Sequence, residues 1–147
     1  MRRFNPAAIE FDRSSERDGY QWRGARVGAA IGAEQIGASL FELGDGERSF
    51  PYHFHHGNEE WLIVIAGSPT VRTPEGERAL REGDVLCFPV GPEGAHQVTG
   101  PGTVLIVSEK RLPEVVEYPD SGKVGVRTND TNQNFLAADA VDYWEGE

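Results

Sequence analysis

The sequence predicts an all-β protein, an antiparallel sandwich or barrel built from short strands. Glycine and proline are frequent, with 18 and 9 in 147 residues, and so many turn-prone residues favour short strands over long helices. Apolar β-type runs recur with turn signals about every eight to twelve residues, the spacing typical of sandwiches and barrels. No helical period persists between residues 27 and 108. The predicted strands are 37–43, 48–55, 60–66, 69–72, 77–80, 84–89, 95–99 and 103–108.

We expect a single domain over residues 1–147, since this length is enough for one hydrophobic core. The barrel is placed at about 27–108, after an extended N-terminal arm (1–26) that holds a possible strand at 7–11 and a polar loop at 14–19. The C-terminal extension (109–147) predicts two strands within 113–127, a loop at 129–134 and a short helix at 140–144. Aromatic residues in that helix predict that it docks on the barrel.

Charge and composition limit the classes of partner and the compartment that we expect for this protein. A net charge of −10 disfavours nucleic acid and anionic lipid, and no apolar stretch is long enough to span a bilayer. The first residues lack the apolar core of a signal peptide, so we expect a cytoplasmic protein. The single cysteine, Cys87, excludes an internal disulfide and fits a reducing compartment; its apolar neighbours predict a buried, inert thiol.

Three of the four histidines lie between residues 51 and 67, a stretch that predicts a metal site. His53 and His55 are two residues apart, so an extended strand presents both on one face. Glu59 or Glu60 opens the next strand, although strand parity alone does not decide between them, and His96 lies in a distant strand-and-turn segment. Imidazole and carboxylate ligands suit Zn, Mn, Fe, Ni or Co, and the lack of thiolate ligands argues against a closed structural zinc site.

The sequence resembles the cupin superfamily over about residues 37–108. The residues that match the first cupin motif are Gly46, His53, His55, Glu60 and Gly67, and those that match the second are Gly83, Pro89, Gly91 and His96. Two additional residues precede His96, and Gly100 stands where the pattern has asparagine. The resemblance implies a jelly-roll barrel, an antiparallel double sheet, with a divalent transition metal held by His53, His55, Glu60 and His96.

Two functions follow from this resemblance. Similar bacterial single-domain cupins, which share the HGNEEW and YPDSGKVG stretches, are described as sugar-phosphate isomerases. The first hypothesis is therefore a metal-dependent enzyme, an isomerase, epimerase or oxygenase acting on a small polar metabolite. The alternative is a non-catalytic barrel that binds a small ligand through its metal, because a shared fold does not establish a shared activity.

Other residues receive weaker assignments. Glu59 is the only candidate acid–base group that the sequence places near the ligands, and His56 is expected to be solvated or to support a ligand. Lys123 is expected to be solvated, unless the extension folds over the barrel mouth and presents it to a phosphate. A homodimer is predicted, because the arm and the extension flank a small barrel whose sheet edges need covering.

Overall fold

The computed structural model describes all residues from 1 to 147, and its regular structure is almost entirely β. The strands are β1 (Arg13–Arg17), β2 (Tyr20–Ala25), β3 (Ile36–Leu43), β4 (Phe54–His55), β5 (Glu60–Gly67), β6 (Thr70–Thr73), β7 (Gly76–Ala79), β8 (Val85–Phe88), β9 (Gln97–Thr99), β10 (Gly102–Glu109), β11 (Glu114–Tyr118), β12 (Lys123–Arg127) and β13 (Asn132–Leu136). One α-helical turn, α1 (Val27–Ile31), and two 3₁₀ turns (Pro92–Gly94 and Ala137–Asp139) complete the chain. None of these helices is long and apolar enough to cross a membrane.

The strands form two layers, and all paired strands run antiparallel to each other. One layer is a six-stranded sheet in the order β1-β2-β3-β10-β5-β8. The other contains β13-β12-β11-β4 and β7-β6-β9, and these two sheets meet through isolated bridges between Arg48 and Thr99 and between His53 and His96. The predicted all-β jelly roll with an antiparallel double sheet is therefore confirmed.

The core lies between the layers because the strands alternate apolar side chains inward. In β5, Glu60, Leu62 and Val64 are buried while Trp61 is exposed, the period-two pattern of a half-buried strand. The buried cluster consists of Phe41, Leu43, Leu62, Val64, Val71, Leu80, Phe88, Val98, Val104 and Ile106.

The N-terminal arm forms a β-hairpin, which differs from the extended arm that the sequence predicts. β1 covers most of the predicted polar loop, β2 joins the hairpin to β3, and the expected strand at 7–11 does not form. Asp18 and Gly19 make the turn, with Gly19 at φ +71°, and Trp22 packs edge-on against Phe41 at 5.1 Å. Polar residues are tolerated in β1 because it is an edge strand.

The C-terminal extension is partly as predicted. β11 and β12 confirm the two strands within 113–127, whereas β13 occupies the second half of the expected loop. The helix predicted at 140–144 is absent, and Tyr143 and Trp144 contact each other edge to face at 4.9 Å with 83% and 72% of their surface exposed. The prediction that these aromatic residues dock on the barrel is therefore wrong for the single chain.

The outer face of the six-stranded sheet is apolar and partly open to solvent. Trp61 and Val85 are 48% and 59% exposed, and Cys87 faces outward directly opposite Trp61 in the β5–β8 register. The prediction of a buried thiol is wrong because β8 alternates, turning Phe88 inward and Cys87 outward.

Candidate metal centre

His53 and His96 are held side by side by the backbone. The amide of His53 donates to the carbonyl of His96 (3.1 Å) and the amide of His96 donates to the carbonyl of His53 (2.9 Å). This reciprocal pair brings two residues 43 positions apart in the sequence (96 minus 53) to ring centroids 4.6 Å apart. Phe88 then stacks on the His96 ring at 3.8 Å, with the planes only 6° apart. Two imidazoles are thereby fixed against the inner wall of the barrel.

Glu60 and His55 complete the group. Glu60 is the first residue of β5 and points inward with Leu62 and Val64, which resolves the choice between the two glutamates. Ligand atoms of His53, Glu60 and His96 all lie within 4.8 Å of one another. Nε2 of His55 lies 3.8 Å from Oε2 of Glu60, and Nε2 of His96 lies 2.9 Å from Oε1 of Glu60. All four residues predicted from the sequence therefore converge.

The other nitrogen of each histidine has its own partner. Nδ1 of His53 donates to the Pro51 carbonyl at 2.8 Å, and Nδ1 of His96 donates to the Gly94 carbonyl at 2.9 Å. Nδ1 of His55 lies 3.3 Å from Oε1 of Glu114. With the Nδ1 atoms engaged in this way, the Nε2 atoms of His55 and His96 face Glu60 and are the nitrogens left available to a metal.

Protonation states in the cluster also suit a metal. Burial and the neighbouring His96 lower the pKa of His53 to about 3, and burial lowers the pKa of His55 despite the nearby carboxylates. Burial raises the pKa of Glu60, but the hydrogen bond with His96 and the surrounding imidazoles outweigh it, so the pKa falls below its usual value. Near neutral pH His53 and His55 are therefore neutral imidazoles and Glu60 is an ionised carboxylate.

Three features of the cluster are left unsatisfied by the protein alone. Nε2 of His55 is buried without a hydrogen-bond partner, and the buried carboxylate of Glu60 has only histidines, and no lysine or arginine, as ion-pair partners. In addition, Nε2 of His96 and Oε1 of Glu60 are acceptors at 2.9 Å unless a proton lies between them. A divalent cation ligated by His53, His55, Glu60 and His96 would resolve all three, so the donor set fits a first-row metal.

The departures from the second cupin motif have local explanations. The residues added before His96 form the 3₁₀ turn Pro92–Gly94, after which His96 still reaches its bridge to His53. A Cβ on Gly94 would lie 1.8 Å from the Pro89 carbonyl oxygen, so this turn requires glycine. At Gly100 a Cβ would lie 2.2 Å from the carbonyl oxygen of Gly44, so an asparagine does not fit there without a backbone shift.

A cavity of about 230 Å³ opens above the cluster. His53, His55 and Glu60 form part of its wall. The rest of the wall mixes apolar and polar groups: Arg13, Gly37, Ala38, Ser39, Phe41, Phe50, Pro51, Ile106, Ser108, Tyr118 and Arg127. The arrangement is an open site, in which a small molecule has access to the ligand cluster.

Residues with weaker assignments lie elsewhere. Glu59 is exposed on the outer surface, where its carboxylate accepts a hydrogen bond from Nε1 of Trp61 at 2.8 Å, so it is not the acid–base group of this cavity. His56 is exposed and lies 2.7 Å from Oε1 of Glu117, and therefore supports no ligand. Lys123 lines a neighbouring cavity and lies 5.1 Å above the Tyr118 ring.

Sequence reasoning missed four residues around the cluster: Arg13, Glu114, Tyr118 and Arg127. Glu114 is only 3% exposed and holds His55, and the ring of Tyr118 stacks over His53 at 6.0 Å. All four lie in the N-terminal hairpin or the C-terminal extension, so only the strand order and register bring them to the cluster or its cavity.

Residues 39–108 match the family model of the Cupin domain. This span contains all four histidines and Glu60. Together with the two-layered jelly roll and the inward histidine–glutamate cluster, the match confirms that residues 39–108 resemble a cupin domain. No curated protein matches the chain in sequence.

Solved structures extend the similarity beyond this domain. A sugar phosphate isomerase of the cupin superfamily from Silicibacter pomeroyi is 25% identical with a TM-score of 0.81, over 94% of each chain. A proposed sugar phosphate isomerase from Acidithiobacillus ferrooxidans is 27% identical with a TM-score of 0.77, over 84% of this chain and 81% of that one. The polyketide cyclase RemF from Streptomyces resistomycificus, 21% identical with a TM-score of 0.58 over 78% and 83% of the two chains, shares the fold alone.

Proposed function

We propose that this protein is a metal-dependent isomerase of a small sugar derivative. The observation that carries the proposal is a cluster of histidines and one glutamate at the base of an open cavity. The two similar structures described as sugar phosphate isomerases support the choice of an isomerase over an oxygenase.

His53, His55, Glu60 and His96 would hold the metal. The bound metal would act as a Lewis acid at a carbonyl or hydroxyl oxygen of the sugar. The Nδ1 contacts keep the imidazole rings oriented, and Phe88 excludes water from one face of His96. These residues thus fix the site before a substrate enters, which limits reorganisation during the reaction.

Tyr118 is the group that we assign to proton handling. It is the only titratable residue in the cavity wall apart from the ligands and two arginines. Its hydroxyl lies 3.5 Å from Nη2 of Arg127, which donates towards it. The hydroxyl would hold or pass a proton at an oxygen of the substrate, while one carbon gives a proton to solvent and the adjacent carbon takes one from it, so that the carbonyl moves between the two carbons.

Solvent exchange tests this proposal on many sugars at once. The metal-loaded protein is incubated in D₂O with a panel of aldoses and ketoses, free and phosphorylated, and followed by proton NMR. We expect deuterium at the carbon next to the carbonyl of at least one sugar, and much slower exchange with Tyr118→Phe. Binding of a panel sugar without any deuterium uptake would instead identify a non-catalytic ligand-binding barrel.

We also propose that the protein forms a homodimer through the outer face of the six-stranded sheet. Trp61, Ile63, Val85 and Cys87 lie there in neighbouring cross-strand positions, and none of them is charged. Two chains of net charge −10 repel each other, so this uncharged patch, although Glu59 and Glu109 lie at its edge, is a surface on which they approach at low cost.

A further inference from the structure

Two guanidinium groups line the same cavity as the metal cluster. Arg13 is the first residue of β1 and Arg127 is the last residue of β12, and both are half-buried. They are the only lysine or arginine residues in the cavity wall. Both lie outside the cupin domain of residues 39–108, in the two terminal segments that the sugar phosphate isomerase from Silicibacter pomeroyi shares over 94% of the chain.

Neither arginine is neutralised by the protein. The ion pairs of the chain involve other arginines, such as Arg23 with Glu42 and Arg72 with Asp120, and none includes Arg13 or Arg127. Unpaired guanidinium groups at a half-buried position retain a cost of partial desolvation, and an anion would offset that cost.

Arg13 is held in place by aromatic rings. Its guanidinium carbon lies 5.0 Å from the centre of the Trp22 ring and 5.4 Å from that of Phe41. This packing orients the side chain without using its N–H donors, because cation–π contacts engage the face of the group. The five donors of Arg13 therefore stay free for a ligand in the cavity.

Arg127 is held in place by Tyr118. Nη2 of Arg127 donates to the Tyr118 hydroxyl at 3.5 Å, its one side-chain hydrogen bond. Glu114 faces Arg127 across the β11–β12 register, but its carboxylate is engaged by His55 and Asn58 instead. Glu114, the residue opposite Arg127 in the strand register, therefore does not neutralise this arginine.

We infer that Arg13 and Arg127 form a subsite for an oxyanion, a phosphate or carboxylate group, on the molecule whose other end reaches the metal cluster. Planar guanidinium groups pair with such oxyanions through two parallel hydrogen bonds, and the arginines approach from the two terminal segments. A cavity of about 230 Å³ is smaller than typical pockets for drug-sized ligands, so the molecule is short. The subsite gives the proposed isomerase its substrate class, an anionic sugar derivative, and in this respect the inference rests on the proposed function.

Equilibrium binding tests the subsite separately from turnover. Inorganic phosphate and malonate are titrated by calorimetry into the wild-type protein, in metal-loaded and metal-free form. The matched variants are Arg13→Gln, Arg127→Gln and, as the control, Arg23→Gln. The control removes the same charge from an exposed residue of β2 that is paired with Glu42. The comparison of phosphate with malonate distinguishes a phosphate from a carboxylate group.

We expect at least one anion to bind both forms of the wild type, and each cavity variant to weaken that binding by about tenfold. Arg127→Lys should recover part of the loss, because it restores the charge but not the paired donors. Arg23→Gln should change the dissociation constant by less than about twofold. Melting curves and the metal content of each variant are compared with the wild type to detect a folding defect. If a Gln variant is misfolded, anion binding by Arg127→Lys tests the subsite instead.

Two results would overturn the inference. One is that neither phosphate nor malonate binds at millimolar concentration; the other is that the two Gln variants bind as tightly as the control. Because no turnover is measured, a protein that binds the anion through these arginines but exchanges no deuterium would refute the isomerase and leave the subsite standing.

Discussion

Replacing Glu114 by glutamine tests whether this buried carboxylate stabilises the metal site through His55. In the native protein Glu114 lies 3.3 Å from Nδ1 of His55 and also accepts a hydrogen bond from Nδ2 of Asn58. The side chain of glutamine has a single acceptor oxygen, so one of these two donors loses its partner, and the negative charge next to the imidazole disappears. His55 then becomes a weaker and less well oriented ligand.

The expected loss of metal affinity follows from this geometry. Changing the partner of a metal-bound histidine costs about 10- to 100-fold in affinity, which corresponds to about 1.4–2.7 kcal/mol. We expect the lower end, about tenfold, because the His55–Glu114 contact of 3.3 Å is long for a charge-assisted hydrogen bond. The assay is competition between the protein and a fluorescent chelator for zinc at constant pH.

A second glutamate on the same strand, Glu117, supplies a matched control. Glu117 lies on the same strand and contacts His56 at 2.7 Å, but both side chains are exposed and His56 lies outside the metal cluster. Glu117→Gln should leave zinc affinity within about twofold of wild type, since exposed pairs contribute about 0–1 kcal/mol. The reasoning is refuted if Glu114→Gln binds zinc as tightly as Glu117→Gln while both proteins are folded.

Three further predictions concern stability and surface chemistry. The pKa of His53 is about 3 in the folded protein and 6.5 for an unperturbed histidine. Between pH 3 and pH 6.5 the unfolded chain therefore binds one proton more at this residue than the folded chain does. The contribution of His53 to the free energy of unfolding of the metal-free protein should therefore be constant above pH 6.5 and fall by about 1.4 kcal/mol per pH unit below it, a contribution that His53→Gln removes in denaturant titrations. Gly100→Asn restores the motif residue yet should lower stability by about 1–3 kcal/mol, since its Cβ meets the Gly44 carbonyl; an unchanged melting temperature would contradict this. Cys87 should react readily with a maleimide in dilute protein and become protected at concentrations where light scattering shows a dimer, whereas equal labelling throughout would place any dimer contact elsewhere.

The sequence was informative for the barrel because its strands carry strong local signals. β5 alternates buried and outward residues between clear turn signals, and its predicted and observed bounds nearly coincide. The N-terminal hairpin was not predicted, because β1 is an exposed edge strand whose residues are mostly polar and show no apolar alternation. The turn signal at Asp18 and Gly19 was the one local indication of that hairpin.

The proximity of the predicted ligands was foreseeable for a similar reason. His53 and His55 are close in sequence, the motif spacing points to Glu60 and His96, and the structure brings these four residues together. The groups that orient or accompany them depend on strand order instead. Glu114 is 59 residues from His55, and only the β4–β11 pairing brings the two into contact. No local pattern in the sequence distinguishes Glu114 from the other acidic residues of the extension.

The most direct test of the account is the metal content of the protein. Untagged wild type and His55→Ala are purified in parallel and analysed by mass spectrometry for first-row metals. We predict about one metal ion per chain in the wild type and a large loss in the variant, whose removed imidazole carries the buried, unpartnered Nε2. A wild-type protein that holds no metal, even after each ion is added back, would contradict the metal centre and the isomerase proposed on it.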